Sequence, residues 1–338
     1  MSGTTRTAAG GAGGRTGGGR AARRPGRTLA AWTAGLLLLG VSTVAGCRAA
    51  DRDGVTPVPQ LLAFLPWLLV PAGAGLLLAA LARWRTGLVW GVAALGTVAW
   101  YVQPYGRPAE PGGRPVAGLR VLTANVEFGR GASALIEAVR DERPDLVFVA
   151  ECETTCADAL TAALADDYPH RRAVPGTGSD GSVILGRRPL APAPALPGTM
   201  GMPGATADVA GHPVHLLLAH PMPPLPGDVG LWRHELGLLR DHAARSADRP
   251  TVVAGDFNAS QDHAAFRGVL DAGLRDAARL AGAARTPTWP ARTAPPLGAQ
   301  IDHVLVSEHF GAAGARFLDL ADTDHRALVV DLTLYERT

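Results

Sequence analysis

Eight polar residues have the types and the places to do chemistry: Asn125, Glu151, His220, Asp256, Asn258, Asp302, Asp324 and His325. Carboxylates and amides dominate the set. Such hard oxygen donors suit Mg2+ or Mn2+, and the absence of clustered cysteines argues against a structural zinc site. A hard cation among carboxylates and histidines suits phosphoryl chemistry, in which it polarises a phosphoryl oxygen and the leaving group while a nearby residue sets water in line. Singly, each residue is ordinary: Asn125 as a turn former, Asp256 and Asn258 as an Asx-turn, His220 as a loop histidine before Pro221. The weight lies in the set and its order.

The elements that must position these residues are apolar runs. Arg120–Ala124 ends in Asn125, with Glu127 two further on; Leu146–Ala150 ends in Glu151; His215–Ala219 ends in His220; Thr251–Ala254 ends in Gly255-Asp256-Phe257-Asn258. Loops at strand ends are where an α/β scaffold gathers its site. Asp302-His303 and Asp324-His325 instead precede strands, so they must arrive from the opposite chain direction, as antiparallel neighbours in a mixed sheet allow. Strands are expected at Leu119–Ala124, Leu146–Ala150, Ser182–Leu185, Val214–Ala219, Thr251–Ala254, Ile301–Val306 and Leu328–Leu334. Helices are expected at Ala132–Asp141, Cys156–Leu164, Leu231–Arg245 and Ala264–Ala272. The alternation argues an α/β fold. Segments 189–205 and 284–299, rich in Pro, Ala and Gly, read as loops.

Five ordered blocks carry a resemblance: Thr123-Ala124-Asn125-Val126-Glu127, the run Pro144 to Glu151, Gly255-Asp256-Phe257-Asn258, the run Ile301 to Ser307, and Asp324-His325-Arg326. Over residues 118–334 the chain resembles the endonuclease/exonuclease/phosphatase family, metal-dependent phosphoesterases that include DNase I-like nucleases, inositol-phosphate phosphatases and neutral sphingomyelinases. The resemblance implies a four-layer sandwich of two mixed β-sheets flanked by helices. It implies that Asn125 and Glu151 hold Mg2+ (or Mn2+) and that Asp324 completes the metal site. Asp256 would activate or orient the attacking water, Asn258 would bind phosphate or orient Asp256, and His220 would contact phosphate. Asp302 would orient His325, the general base or electrostatic stabiliser; a carboxylate fixes a histidine's tautomer and raises its basicity. His303 reads as structural or substrate-adjacent rather than catalytic. The chain departs from the family in having Ala150 where many members carry Gln, and Gly186 where many carry Ser or Thr. Glu153 is a rival ligand, and Tyr168 stands by elimination for a phosphate-side tyrosine. The implied partner is a phosphoester: a lipid headgroup, a small molecule or a nucleic acid. No protein partner is implied. The alternatives are an extracytoplasmic nuclease of the same fold and a catalytically inactive binding module.

Composition narrows the field. The 338 residues contain no lysine, which excludes a P-loop lysine, a Schiff base and a Ser-Lys dyad. Residues 1–117 carry 12 Arg against three acids and residues 118–338 carry 20 Arg against 27 acids, so the second part lacks the basic stripe of a non-specific nucleic-acid binder. Residues 1–27, with six Arg and no acid, read as a disordered tail. Apolar runs at about 29–46, 61–82 and 87–102 read as three transmembrane helices within a membrane region 28–102, followed by a Pro/Gly linker 103–117 and a catalytic domain 118–338. Arg clusters before the first run and at Arg83 and Arg85 then put the N-terminus in the cytoplasm and the catalytic domain outside a multi-pass cell-membrane protein. The competing reading of the first run is a cleaved signal, since Val44-Ala45-Gly46-Cys47 resembles a lipoprotein cleavage box. Cys152 and Cys156 lie about one helical turn apart, a spacing that suits a disulfide poorly, so their pairing stays open.

Overall fold

The structure, a computed structural model, describes residues 1, 25–103, 111–293 and 297–336. The expected tail lies, apart from Met1 and residues 25–27, outside the described residues. The chain is first described continuously as a small helical unit. Helix α1 (Pro25–Ala49) is followed by α2 (Val58–Ala63), a 3-10 turn (Leu65–Leu68), α3 (Leu69–Leu81) and α4 (Arg85–Val102). Leu38 and Val41 of α1, Leu62, Leu65, Ala72 of α3 and Val98 of α4 share one buried cluster.

The three-span expectation is not supported. Among the described helices only α1 is long and apolar enough to cross a membrane, and a helix so near the N-terminus fits an anchor or a signal sequence alike. The second expected span breaks at the 3-10 turn, where Pro66 lacks an amide hydrogen. That leaves α3 with 13 residues, about 20 Å at 1.5 Å per residue, against a hydrocarbon core of about 30 Å. Helix α4 has the length, but Arg85, Thr86, Gly87 and Gly91 hold its mean hydropathy too low. With the second and third spans goes the multi-pass topology and the orientation built on it.

Two six-stranded sheets follow. The first has the order β11 (Phe310–Asp319), β12 (Arg326–Glu336), β1 (Arg114–Asn125), β2 (Leu146–Ala150), β4 (Ser182–Gly186), β3 (His170–Val174). The second has the order β5 (Leu190–Leu196), β6 (Met202–Val209), β7 (His212–Ala219), β8 (Thr251–Asp256), β10 (Asp302–Ser307), β9 (Leu274–Asp276). Two pairs are parallel, β1 with β2 and β7 with β8; the other ladders are antiparallel. A parallel pair needs a crossover, and here α5 (Ala132–Glu142) and α7 (Val229–Ser246) supply them. Strand β1 begins at Arg114, paired with Glu336, so residues 114–117 belong to the sheet rather than to the expected linker; residues 104–110 of that linker lie outside the described residues.

The strand patterns follow from the layers. Val121, Phe148, Ile184, Leu216, Val252 and Val304 point between the sheets. Val147 and Val149 face the other way, onto α5 and α6 (Thr154–Leu164) with Leu135 and Leu160. Val253 packs outward on Trp232 and Leu236 of α7 and on Phe266 of α8 (Ala264–Asp271). Strands covered on both faces read as unbroken apolar runs, and the result is the expected four-layer sandwich.

Candidate active site

The C-terminal ends of β1, β2, β7 and β8 meet at one end of the sandwich. Asn125 reaches across the sheets: its Nδ2 donates to Glu151 Oε1 at 3.0 Å and to Asp256 Oδ2 at 3.1 Å. Asp302 lies directly opposite Asp256 in the β8–β10 ladder, arriving antiparallel as its sequence position requires. His325 precedes β12 and places Nδ1 2.9 Å from Asp302 Oδ2 and Nε2 3.8 Å from both Asp256 Oδ2 and Asp324 Oδ1. His220 Nε2 stands 3.9 Å from Glu151 Oε1. All eight residues therefore face one cleft of about 720 Å³ or the network directly beneath it.

Local backbone makes this possible. Glu127, Phe128, Glu151 and Asn258 all have φ between 45° and 59°, a left-handed conformation uncommon for residues other than glycine, whose strain concentrates at functional sites. Gly255 answers a different need: a Cβ there would lie 2.0 Å from the Ala219 carbonyl oxygen, at φ 152°. Only glycine lets β7 and β8 close up just before Asp256. Two threonines outside the eight also fix the site. Thr288 Oγ1 accepts from the backbone N–H groups of Ile301 (3.0 Å) and Asp302 (3.1 Å). Thr323 Oγ1 donates to the Asn125 carbonyl at 2.9 Å and accepts from His325 N at 3.1 Å.

The electrostatics separate the titratable groups. Burial, and then the charge of Asp302, push the Asp256 carboxyl up to about 7, within the range where a general base works at neutral pH. For His325 burial opposes charge, but Asp302 and then Asp256 outweigh it, so the ring rises to about 10 and is an imidazolium at neutral pH. That favours the stabilising role over the basic one for this ring. Burial, and then the charge of His325, hold His220 down at about 3, so it stays neutral.

A divalent cation fits this donor set. Asp256, Asp302 and His325 each present a ligand atom within 4.8 Å of one another, whereas the sequence reading puts the metal on Asn125, Glu151 and Asp324. His325 Nδ1 is already tied to Asp302, while Glu151 and Asp324 keep 16% and 29% of their side chains exposed to the cleft. A cation arriving from solvent meets those two first. Among the described residues, both ring nitrogens of His220 and Asp302 Oδ1 are buried without a hydrogen-bond partner, and buried polar atoms left so call for a ligand.

Asn258 N donates to Asp256 Oδ1 at 2.7 Å and its Nδ2 to the Pro221 carbonyl at 3.0 Å, so it orients Asp256 and the loop after His220. Asn125 turns its amide nitrogen to the carboxylates, its oxygen accepting from Glu127 N at 2.9 Å. Tyr168 is no phosphate-side tyrosine: its hydroxyl donates to Pro144 O at 2.7 Å beneath the first sheet. Glu153 is no ligand but the N-cap of α6, accepting from Thr155 N and Cys156 N at 3.1 Å each. His303 is structural, with its ring between Asp276 Oδ2 (2.8 Å) and Ala259 O (3.0 Å). Cys152 and Cys156 are bridged; Cys152 precedes α6, so theirs is not a spacing along one helix. Trp289 escaped the sequence reading because it sits in a segment read as loop. Its Nε1 donates to Asp324 Oδ2 at 2.9 Å, and a lone bulky aromatic in that small-residue stretch was the available signal.

The sequence model of the Endonuclease/Exonuclease/phosphatase family matches residues 122–325. No curated protein matches the sequence. Solved structures share the fold. A D. rerio TDP2 humanized by 14 mutations is 17% identical over 64% of this chain and 98% of that one, with TM-score 0.55. An endonuclease/exonuclease/phosphatase from Beutenbergia cavernae is 22% identical over 66% and 72%, with TM-score 0.51. Sphingomyelinase C from Streptomyces griseocarneus is 17% identical over 64% and 99%, with TM-score 0.50. Because the family match runs from Leu122 to His325 and takes in all eight cleft residues, the chain belongs to the Endonuclease/Exonuclease/phosphatase family.

Proposed function

We propose that this chain hydrolyses a phosphoester with a divalent metal, Mg2+ or Mn2+, and that α1 holds it at a lipid bilayer. One observation carries the reading: residues from six separate strand ends converge on one cleft as a charged, buried relay, with His325 Nδ1 2.9 Å from Asp302 Oδ2 and Asp256 alongside. Phosphoester hydrolysis with a divalent metal is the activity of the family, and its solved relatives include a D. rerio TDP2 with a single-strand DNA product and a sphingomyelinase C.

Glu151 and Asp324 would hold the metal, and Asn125, whose amide nitrogen donates to Glu151 and Asp256, would keep those carboxylates in place. When bound, the metal polarises the phosphoryl oxygen and the leaving ester oxygen. Asp256 takes a proton from the water whose oxygen bonds to phosphorus opposite the leaving group. The phosphorus–oxygen ester bond breaks, and the leaving oxygen departs with the electron pair. The His325 imidazolium, held by Asp302, donates from Nε2 to the charge that develops on the non-bridging oxygens. Neutral His220 hydrogen-bonds the same phosphate, and Asn258 keeps Asp256 in line.

The test is release of p-nitrophenol from bis(p-nitrophenyl) phosphate by the full-length protein with Mn2+ or Mg2+. Turnover is expected to vanish with EDTA and to fall about 10²–10⁴-fold in Asp256→Asn, the usual effect of losing a general base. No release with either metal sinks the proposal.

A further inference from the structure

The cleft is not built by the family domain alone. The segment Thr56–Phe64, which lies outside residues 122–325, supplies one wall through Thr56, Pro57, Gln60, Ala63 and Phe64. It is held there by named contacts. The Phe64 ring lies 6.1 Å from that of Trp289, whose Nε1 fixes Asp324, and Gln60 Nε2 donates to the Pro224 carbonyl on the facing rim. Apolar side chains line the cleft beside the carboxylates and histidines: Phe64, Trp289, Phe128, Leu225, Met200 and Met222. Phe128 and Leu225 are 52% and 48% exposed. A cleft of about 720 Å³ has room for a drug-sized ligand, far more than a phosphate fills.

Resting on the phosphoesterase reading above, we propose that Thr56–Phe64 is a substrate-binding wall and that the substrate is an amphiphilic phosphoester drawn from a lipid layer, its apolar chain lying between Phe64, Trp289, Phe128 and Leu225. The source follows from the chain's path. Helix α1, long and apolar enough to cross a membrane, ends at Ala49, seven residues before this wall. Trp32, Leu36 and Leu39 on α1 and Val70, Leu77 and Leu81 on or beside α3 are more than half exposed, an apolar surface that a lipid layer covers. A bilayer that receives α1 thus brings the cleft wall to its surface.

The experiment compares methyl and octyl p-nitrophenyl phosphate on the full-length protein in maltoside detergent with Mn2+. In both, water bonds to phosphorus and p-nitrophenolate leaves with the electron pair, so the chemistry is matched and the chain alone differs. A buried methylene is worth about fourfold in binding, so KM for the octyl ester is expected to be at least about 30-fold lower, with similar kcat. Octyl phosphate is expected to inhibit methyl-ester hydrolysis at least about 30-fold more strongly than methyl phosphate does. Phe64→Ser and Ala63→Trp, one opening and one filling the wall, should each cut the octyl-to-methyl ratio of kcat/KM about tenfold. Equal kcat/KM for the two esters, with equal inhibition by the two phosphates, overturns the substrate class and leaves the phosphoesterase reading standing. Hydrolysis of neither ester overturns both.

Discussion

His325 is charged because of what surrounds it. Its burial alone would favour the neutral ring; Asp302 at 2.9 Å and Asp256 at 3.8 Å reverse that and hold it up at about 10. A histidine whose folded value lies above its ordinary 6.5 adds stability that is complete below about 6.5 and is lost as pH rises through about 10. Asp302→Asn removes the strongest of the supporting charges. In the metal-free protein the NMR titration of His325 should then move down by two or more pH units, and kcat should fall about 10²-fold or more as its charge no longer meets the transition state. A titration left near 10 would show that Asp302 is not its source. Asp256 runs the opposite way. An acid raised from 3.8 to about 7 by burial and by Asp302 weakens the fold once ionised, a penalty absent below about 4 and complete above about 7. A cation held beside Asp256 would reduce that penalty, because its positive charge favours the ionised carboxylate. Apparent Mn2+ affinity, read by calorimetry, should rise about tenfold per pH unit between pH 5 and 7 and then level off; in Asp256→Asn that slope should disappear.

Elements place these residues only where neighbouring strands can approach. Gly255 lies at φ 152°, and a Cβ there would meet the Ala219 carbonyl oxygen at 2.0 Å. Both atoms belong to strand backbone, so neither can swing aside. Gly255→Ala should lower unfolding free energy by about 3 kcal/mol or more, as overpacking and backbone strain add, and urea titration measures it. Activity should fall too, since the separation of β7 from β8 moves His220 from Asp256. The sequence showed this motif, and it showed the strands buried on both faces, because β2 and β8 read as unbroken apolar runs. Where a strand lies at an edge, the signal fades. Strand β5, Leu190-Ala-Pro-Ala-Pro-Ala-Leu196, reads as loop, yet it is the edge of its sheet, where proline needs no ladder partner on its open side. Its neighbour β6 hides behind Gly204, a glycine required because a Cβ would lie 2.4 Å from Pro194 O. Strand β11 is the edge of the other sheet, with a bulge at Ala312/Gly314 and an irregular burial pattern. The convergence of the eight cleft residues was legible because their types recur, in order, beside the apolar strand runs. Trp289 and Phe64 were not, because what they do depends on a contact between distant segments.

At the scale of the whole molecule, the helical unit and the sandwich are joined by buried polar contacts rather than by chain alone. Asp53 on the loop after α1 accepts from the first amides of α8, Ala264 N at 2.6 Å and Ala265 N at 3.1 Å, a cap supplied from outside the helix. His263 accepts from Ser260 N at Nδ1, so its Nε2 carries the hydrogen that it donates to Pro59 O at 2.8 Å. At the centre is Asp262, 1% exposed, receiving Arg285 at 2.6 Å and Arg48 at 3.3 Å; Arg285 also donates to Tyr101 O at the end of α4. Removing Asp262 breaks both of these ion pairs at once at a buried carboxylate, a loss of about 3 kcal/mol or more. Asp262→Ala should therefore uncouple the two parts. Wild-type protein is expected to unfold in one urea transition, whereas the variant should show an early step for the helical unit followed by that of the sandwich. Asp51, 71% exposed at its pair with Arg267, provides the contrast: an exposed ion pair contributes at most about 1 kcal/mol, and Asp51→Ala should leave a single transition. Two transitions in wild-type protein, or one in Asp262→Ala, would mean that the buried charges do not hold the cleft wall in place.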